Sequence, residues 1–139
     1  YLDATAPFLE NVSILENIWV PLAWRRSFAL AQVVSRARRH GALFGWSEVD
    51  LQRLLASRPG DLPPAVLACA VLLRAVLMEP DWLLIEPGWF ERPLLAPEHL
   101  VSLVQSALGP CRWLLLWPQG QEPLPAGVPW HTIQLEAEA

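Results

Sequence analysis

The pattern of apolar and polar positions predicts that the first half of the chain is helical. Residues 13–16 and 47–50 each form a capping box, in which a serine oxygen and an acidic side chain satisfy free backbone N–H groups at a helix start. We expect the helix that opens at the first box to be short, because Pro21 cannot continue it.

A second helix is expected over residues 27–40, with Ser27 as its N-terminal cap. Basic residues fill its last turn, and Gly41 follows where a left-handed residue commonly ends a helix. The helix that opens at the second capping box should end near Ser57, before the chain-breaking run 58–60.

The second half of the chain combines helical and strand patterns. Asp61 is placed to cap a helix over residues 63–78, and apolar residues on every face of this helix indicate burial. Short apolar runs then indicate buried parallel strands. The predicted elements are a strand at 82–85, a helix at 97–109, a strand at 113–117 and a weaker strand at 130–135.

Strand, helix and strand in that order imply a right-handed parallel crossover, so the predicted fold class is α/β. A parallel sheet normally has several strands and both faces covered, and two or three strands are few for such apolar segments. The chain therefore resembles the back half of a larger domain. Because it begins with Tyr1 and not with Met, we expect that the natural chain starts upstream or was processed.

Composition narrows the function classes. A length of 139 residues predicts one domain. The longest apolar stretch, residues 65–73, is far shorter than the ~20 residues of a membrane-spanning helix, and the sequence shows no secretory signal. A net charge of −4 gives nucleic acid little electrostatic reason to bind. Cys69 and Cys111 are expected to be reduced, buried thiols of a cytosolic protein, with a disulfide or metal pair as the alternative.

All ten basic residues are arginine, and the chain contains no lysine. The phosphate loop of P-loop ATPases needs a lysine that reaches the β- and γ-phosphates. These residues therefore contain no such loop.

The order of several motifs resembles the ATPase subunits of ABC transporters, from their glutamine loop onward. Phe8-Leu9, followed by the run 12–22 (Val-Ser-Ile-Leu-Glu-Asn-Ile-Trp-Val-Pro-Leu), is similar to the segment after that loop. Residues 61–66, an apolar helix with Arg74, and the run 79–87 follow the rhythm of the signature motif, its helix and the Walker B strand. Within the family, ATPases of lipid and lipoprotein transport are the most similar.

The resemblance implies one partial domain with a P-loop NTPase-like fold. Residues 1–60 would form a glutamine-loop-like segment and the helical subdomain that faces a membrane permease. Residues 61–139 would supply the signature helix, a Walker-B-like strand and a C-terminal α/β part with a short parallel βαβ unit. The implied partners are an ABC permease and a second ABC ATPase subunit. The implied location is the cytoplasmic face of the cell membrane, reached through the permease and without direct membrane insertion.

The signature positions depart from the family pattern. They correspond to Leu62-Pro63-Pro64-Ala65-Val66, where the family has a serine hydroxyl and free N–H groups that hold a γ-phosphate. Proline has no N–H, and no hydroxyl remains in the motif. We therefore expect these cofactor-binding positions not to bind phosphate, and to form a structural helix start instead.

Glu86 is the one catalytic candidate, because it matches the family's general base, which polarises the attacking water. A carboxylate bonded to loop N–H groups is the alternative role for Glu86. The Mg²⁺-binding aspartate is missing, since Ile85 precedes Glu86, and Pro118 stands where the switch histidine should follow. Asp3, near the glutamine position, is expected to be solvated. The sequence thus predicts no metal site and no cofactor, with ATP and Mg²⁺ expected only if the full-length chain is active.

Two further features bear on packing and partners. Arg74 is a lone charge on an apolar helix and should need a carboxylate or carbonyl partner. Trp19, Trp24 and Trp46 fall in the helical half. We expect them to fill the core, whereas exposed aromatic rings there would form a groove for a partner's helix.

The predicted function is that of a degenerate, non-hydrolysing ABC-ATPase-like protein, which docks to a permease or a partner ATPase in transport, with lipids as the implied cargo. The alternative is an ATP-binding and ATP-hydrolysing subunit whose phosphate loop lies upstream of Tyr1. A third hypothesis is a small independent domain with no transport role. It predicts a monomeric chain that folds cooperatively on its own.

Overall fold

The computed structural model describes residues 8–85, 105–106 and 112–115. This part of the chain forms a helical unit, followed by two paired strands. The α-helices and strands are α1 (Ile14–Arg26), α2 (Leu30–Gly41), α3 (Glu48–Ala56), α4 (Pro64–Leu77), β1 (Trp82–Ile85) and β2 (Arg112–Leu115). Short 3-10 turns at Ala42–Phe44 and Pro59–Asp61 precede α3 and α4.

Both capping boxes are confirmed. The Glu16 N–H donates to Ser13 Oγ at 3.2 Å, and the Glu16 carboxylate accepts from the Ser13 N–H at 2.8 Å. Ser47 and Asp50 make the same reciprocal pair at the start of α3, which ends at Ala56, close to the predicted end. These local hydrogen bonds mark both helix starts, and at α1 the Ile14 N–H also donates to the Ser57 carbonyl at 2.9 Å.

Helix α1 does not stop at Pro21, so the prediction of a short first helix is wrong. The helix continues to Arg26 with Pro21 inside it. Ile14, Ile18 and Leu22 lie one turn apart and are fully buried. Burying Leu22 contributes about 1.5–3 kcal/mol, which is similar to the cost of about 3 kcal/mol for an interior proline. Tertiary packing therefore carries the helix through Pro21.

The longer α1 changes the role predicted for Ser27. This residue ends α1 in the left-handed conformation, with φ 54°, and does not cap α2. The N-terminal cap of α2 is Ala29, whose N–H donates to the Gln32 side-chain oxygen at 2.8 Å. A glutamine three residues into the helix supplies the capping hydrogen bond that the serine does not.

Gly41 also differs from its prediction, because it lies inside α2 with a helical φ of −56°. A Cβ at Gly41 would meet Leu51 Cδ2 of α3 at 3.2 Å. The glycine therefore allows a close approach of α2 to α3. The glycine that adopts the left-handed conformation is Gly45, four residues after Gly41. It has φ 72° and ends the 3-10 turn.

Helix α4 has buried side chains on two opposite faces. One face, with Ala70, Leu73 and Leu77, belongs to the apolar core that α4 shares with α1, α2 and α3. The other face carries buried residues outside that core: Ala68, Val71, Leu72 and Val76. With 3.6 residues per turn, these two sets point in opposite directions. The predicted burial of α4 is confirmed for these positions, and its bounds fall within one residue of those predicted.

The two strands pair in parallel, with Trp82 opposite Arg112 and Ile85 opposite Leu115. Strand β1 has its predicted bounds, and β2 begins one residue before its predicted start. Leu83 and Ile85 are buried. Residues 105–106 are helical, whereas the rest of the helix predicted at 97–109 and the third strand at 130–135 lie outside the described residues. An α/β fold beyond this strand pair stays a prediction.

Asn17 is the buried polar residue that fixes the segment before α1. Its side-chain oxygen accepts from the Leu9 N–H at 2.7 Å, and its Nδ2 donates to the Leu9 carbonyl at 2.9 Å and the Ser13 carbonyl at 3.0 Å. One amide side chain thus pairs both backbone groups of Leu9 and holds this segment against α1.

We predict that Asn17→Ala lowers the free energy of unfolding by about 2 kcal/mol, because partly buried backbone groups of Leu9 and Ser13 lose their partners. Urea unfolding followed by circular dichroism measures this value. Asn11→Ala is the matched control, since Asn11 is exposed, and should change stability by less than about 0.5 kcal/mol. Equal effects of the two substitutions would contradict the assigned role of Asn17.

Candidate functional site

The start of α4, where the sequence places the degenerate signature, is built from prolines. Pro63 is the N-cap residue, with φ −56° and ψ 144°, and makes no side-chain capping bond, while Pro64 is the first helical residue. Asp61 is not the cap that was predicted. It lies in the preceding 3-10 turn, two residues too early to reach the first turn of α4 as its N-cap.

This helix start offers few donors to an anion. The first four N–H groups of a helix normally lack an intrahelical partner and can face a phosphate. At α4 two of these four positions are Pro63 and Pro64, which have no N–H. The first in-helix bond is from the Leu67 N–H to the Pro63 carbonyl, at 3.0 Å. Only Ala65 and Val66 retain free N–H groups.

The side chains at the same positions serve packing. Leu62 and Val66 are half-buried against the helical core, and Ala65 is half-buried as well. Pro63 and Pro64 are exposed. The apolar side chains of the motif therefore pack against the core, and its exposed side offers few N–H donors. This arrangement does not fit a bound triphosphate.

The candidate general base and the switch-histidine position lie outside the described residues. Strand β1 ends at Ile85, directly before Glu86, and Glu86 itself lies outside the part of the chain that the structure describes. The same holds for Asp3, Cys111 and Pro118. No role of these residues is tested by the fold.

The described segments contain no group of histidine, cysteine, aspartate and glutamate that could hold a metal ion. Cys69 is a half-buried free thiol in α4, and burial raises its pKa. A thiol with a raised pKa is a poor nucleophile and a poor metal ligand, because both roles need the thiolate.

Arg74 links α4 to the segment before α1. Its guanidinium lies over the Phe8 ring, 4.5 Å from the centroid, and burial lowers its pKa. A cation over an aromatic face regains part of the electrostatic stabilisation that is lost on leaving water. The sequence predicted a polar partner for Arg74 and did not predict this aromatic contact.

Sequence reasoning missed a charged cluster at the other end of α4. Glu79, in the connection to β1, accepts a hydrogen bond from Arg36 of α2, and its Oε2 lies 3.8 Å from Arg26 Nη1 of α1. Arg26 also donates to the Glu79 backbone carbonyl at 3.1 Å. The sequence analysis assigned a role only to the basic last turn of the second helix, through the helix dipole, and gave Arg26 and Arg36 no partner.

The tryptophans of the helical half divide into two groups. Trp19 and Trp46 are half-buried against the core, as predicted. The Trp19 Nε1–H donates to the Phe28 carbonyl at 3.1 Å, and Trp46 stacks on Phe44 with 4.6 Å between ring centroids. Trp24 instead leaves 88% of its surface exposed on α1, one turn after Val20, which is 50% exposed. Core packing therefore does not account for Trp24.

No family model, curated protein or solved structure matches this chain. Across the described residues, the helices are too short or too polar to cross a membrane. The ABC ATPase family thus rests on the motif order alone and stays a prediction.

We predict that inorganic pyrophosphate leaves the Ala65 and Val66 amide resonances of the natural chain unmoved in a two-dimensional NMR titration. The matched variant carries Pro63→Ser and Pro64→Gly, which restore a hydroxyl and two N–H groups, and its resonances at these positions should move. Saturable shifts in the natural chain would show that the two remaining donors suffice for anion binding.

Proposed function

We propose that this protein is a non-hydrolysing relative of the ABC-transporter ATPases, acting by docking to a permease, a partner ATPase or both, with lipids as the proposed cargo class. The observation that carries the proposal is the start of α4. At the positions where the family grips a γ-phosphate, this chain has two prolines and side chains committed to the helical core. The start of α4 thus packs against the helical core at the same positions where the family's phosphate ligands are missing.

The helical unit supports a docking role because it has a complete core of its own. Buried residues of α1, α2, α3 and α4 form one apolar cluster. Helix α1 contributes Ile14, Ile18 and Leu22 to that cluster while presenting Val20 and Trp24 to solvent. A large aromatic side chain on a rigid helix is the kind of anchor that protein interfaces use. We therefore propose α1 as the permease-facing element, at the cytoplasmic side of the membrane.

The hydrolysis half of the proposal is tested on the full natural chain, including any upstream segment. We predict no Mg²⁺-dependent ATP turnover above the rate of a heat-denatured sample, measured by phosphate release. Glu86→Gln is the diagnostic variant, since it removes the one candidate general base.

Turnover that disappears in Glu86→Gln would contradict the proposal. It would favour instead the alternative subunit, whose phosphate loop lies upstream of Tyr1. Turnover that persists in Glu86→Gln would point to a contaminating ATPase, and a repeat after further purification should then show none.

The docking half is tested with a photo-crosslinking amino acid placed at Trp24 in cells of the source organism. We predict adducts with a polytopic membrane protein. Val49 on α3, which is 63% exposed, is the matched control position and should give a yield at least about tenfold lower, because it lies on another helix. Equal yields at both positions, or adducts with soluble proteins alone, would contradict docking through α1.

A further inference from the structure

The residue that follows the last turn of α4 is a glutamate in a conformation that favours glycine. Met78 is the C-terminal cap of α4, and Glu79 comes next, with φ 45°. Helices commonly end with a left-handed residue at this position, and glycine is the usual choice because it has no side chain to clash. Pro80 then follows and cannot continue a helix. A helix end of this kind needs no carboxylate, so the side-chain contacts of Glu79 have to explain why glutamate is present.

The Glu79 side chain joins two arginines from two other helices. Arg36 of α2 donates a hydrogen bond to its carboxylate, and Arg26 Nη1 of α1 lies 3.8 Å from an oxygen of the same group. Arg26 also donates to the Glu79 carbonyl at 3.1 Å and to the Met78 carbonyl at 3.4 Å. These contacts hold both the side chain and the backbone of the residue that adopts the left-handed conformation.

Arg36 is positioned by a second contact. Its guanidinium lies over the Phe28 ring, 4.3 Å from the centroid, and the Phe28 carbonyl accepts from the Trp19 Nε1–H. The segment between α1 and α2 therefore orients Arg36 toward Glu79. Because the guanidinium keeps this aromatic partner when Glu79 moves away, separating the two side chains costs less than it would for an otherwise unpartnered arginine.

We propose that Arg26, Arg36 and Glu79 form an ionic clasp, which holds the connection between α4 and β1 in a bent, left-handed state. Without the ion pairs, Glu79 relaxes to an extended conformation, which is the one that a following proline favours. Because β1 begins at Trp82, the bend at Glu79 sets the direction in which the strands leave the helical unit. The clasp is a conformational device that does not depend on the proposed transport role.

Two opposing effects keep the clasp near balance. Its three side chains are between 30% and 49% exposed, and ion pairs with that exposure stabilise only weakly and are screened by salt. The left-handed glutamate acts against them, at a cost that corresponds to about a tenfold shift in equilibrium. None of the three side chains belongs to the apolar core that holds the helices together. The clasp can therefore open while the helical unit stays folded.

Two variants of the full natural chain separate the effect of the carboxylate from that of the backbone conformation. Glu79→Gln and Glu79→Asn both replace the charge with an amide group, but asparagine tolerates the left-handed region better than glutamine. In Glu79→Gln we expect φ at residue 79, whose sign is measured by the one-bond Cα–Hα NMR coupling, to change from positive to negative. Glu79→Asn should keep a positive φ.

Amide hydrogen exchange measures how often the end of α4 opens. The Met78 N–H donates to the Arg74 carbonyl at 3.1 Å, and the Glu79 N–H donates to the Val76 carbonyl at 3.0 Å. After correction for intrinsic rates, exchange at both amides should rise about tenfold in Glu79→Gln, since the strain is no longer opposed. In Glu79→Asn it should rise less than about threefold, because the strain itself is smaller.

Sodium chloride at about 1 M tests the clasp without a substitution, because it shortens the screening length to about 3 Å. In the natural chain, salt should raise exchange at Met78 and Glu79. In Glu79→Gln, where the ion pairs are already lost, salt should give no further rise. The Leu54 and Leu55 amides of α3 are the internal controls and should stay within about twofold in every sample.

Four results would overturn the clasp. They are a positive φ that persists in Glu79→Gln, equal exchange in the Gln and Asn variants, a rise shared by α3, and exchange in the natural chain that does not respond to salt. Should Glu79→Gln not fold, the salt experiment on the natural chain decides by itself.

Discussion

The two-sided burial of α4 is the constraint on which the rest of the structure depends. Its face with Leu73 and Leu77 completes the helical core, and its opposite face, with Leu72 and Val76, is buried as well. A helix that is apolar all round must lie between two packed layers, because burying either face alone would leave the other in water. The position of α4 therefore sets the positions of α1 and α2, which pack against it, and of β1, which follows it.

The same constraint shapes both ends of α4. At its start, Leu62 and Val66 extend the apolar packing, and the chain enters the helix through Pro63 and Pro64 without a polar cap. At its end, Pro80 stops the helix and Glu79 receives the arginines of α1 and α2. A helix start built in this way loses the donors that a phosphate site needs. The proposed loss of hydrolysis thus follows from the way this buried helix begins.

Local hydrogen bonding made part of the fold predictable from sequence. The capping boxes at Ser13 and Ser47, and strand β1 with its apolar residues, were predicted with nearly correct bounds because neighbouring residues determine them. The continuation of α1 through Pro21 was not predictable in this way, since the burial of Leu22 by distant helices outweighs the local penalty of a proline. Gly41 is similar: its reason is Leu51, ten residues away on another helix.

The candidate site shows the same division between local and distant causes. The missing donors at Pro63 and Pro64 could be deduced from residue types alone, because proline has no N–H in any fold. The cluster around Glu79 could not, because it joins Arg26 and Arg36 to a residue more than forty positions later in the chain. The assignment to the ABC ATPase family depends on the order of the motifs, and experiments on the candidate site must test it.

The most direct test of the central claim is a crystal structure of the full natural chain grown with Mg²⁺ and a non-hydrolysable ATP analogue. The account predicts no phosphate oxygen within hydrogen-bonding distance of the Ala65 and Val66 N–H groups, and no ordered water between Glu86 and a phosphate. A γ-phosphate bound at the start of α4, with Glu86 on the attacking water, would contradict it.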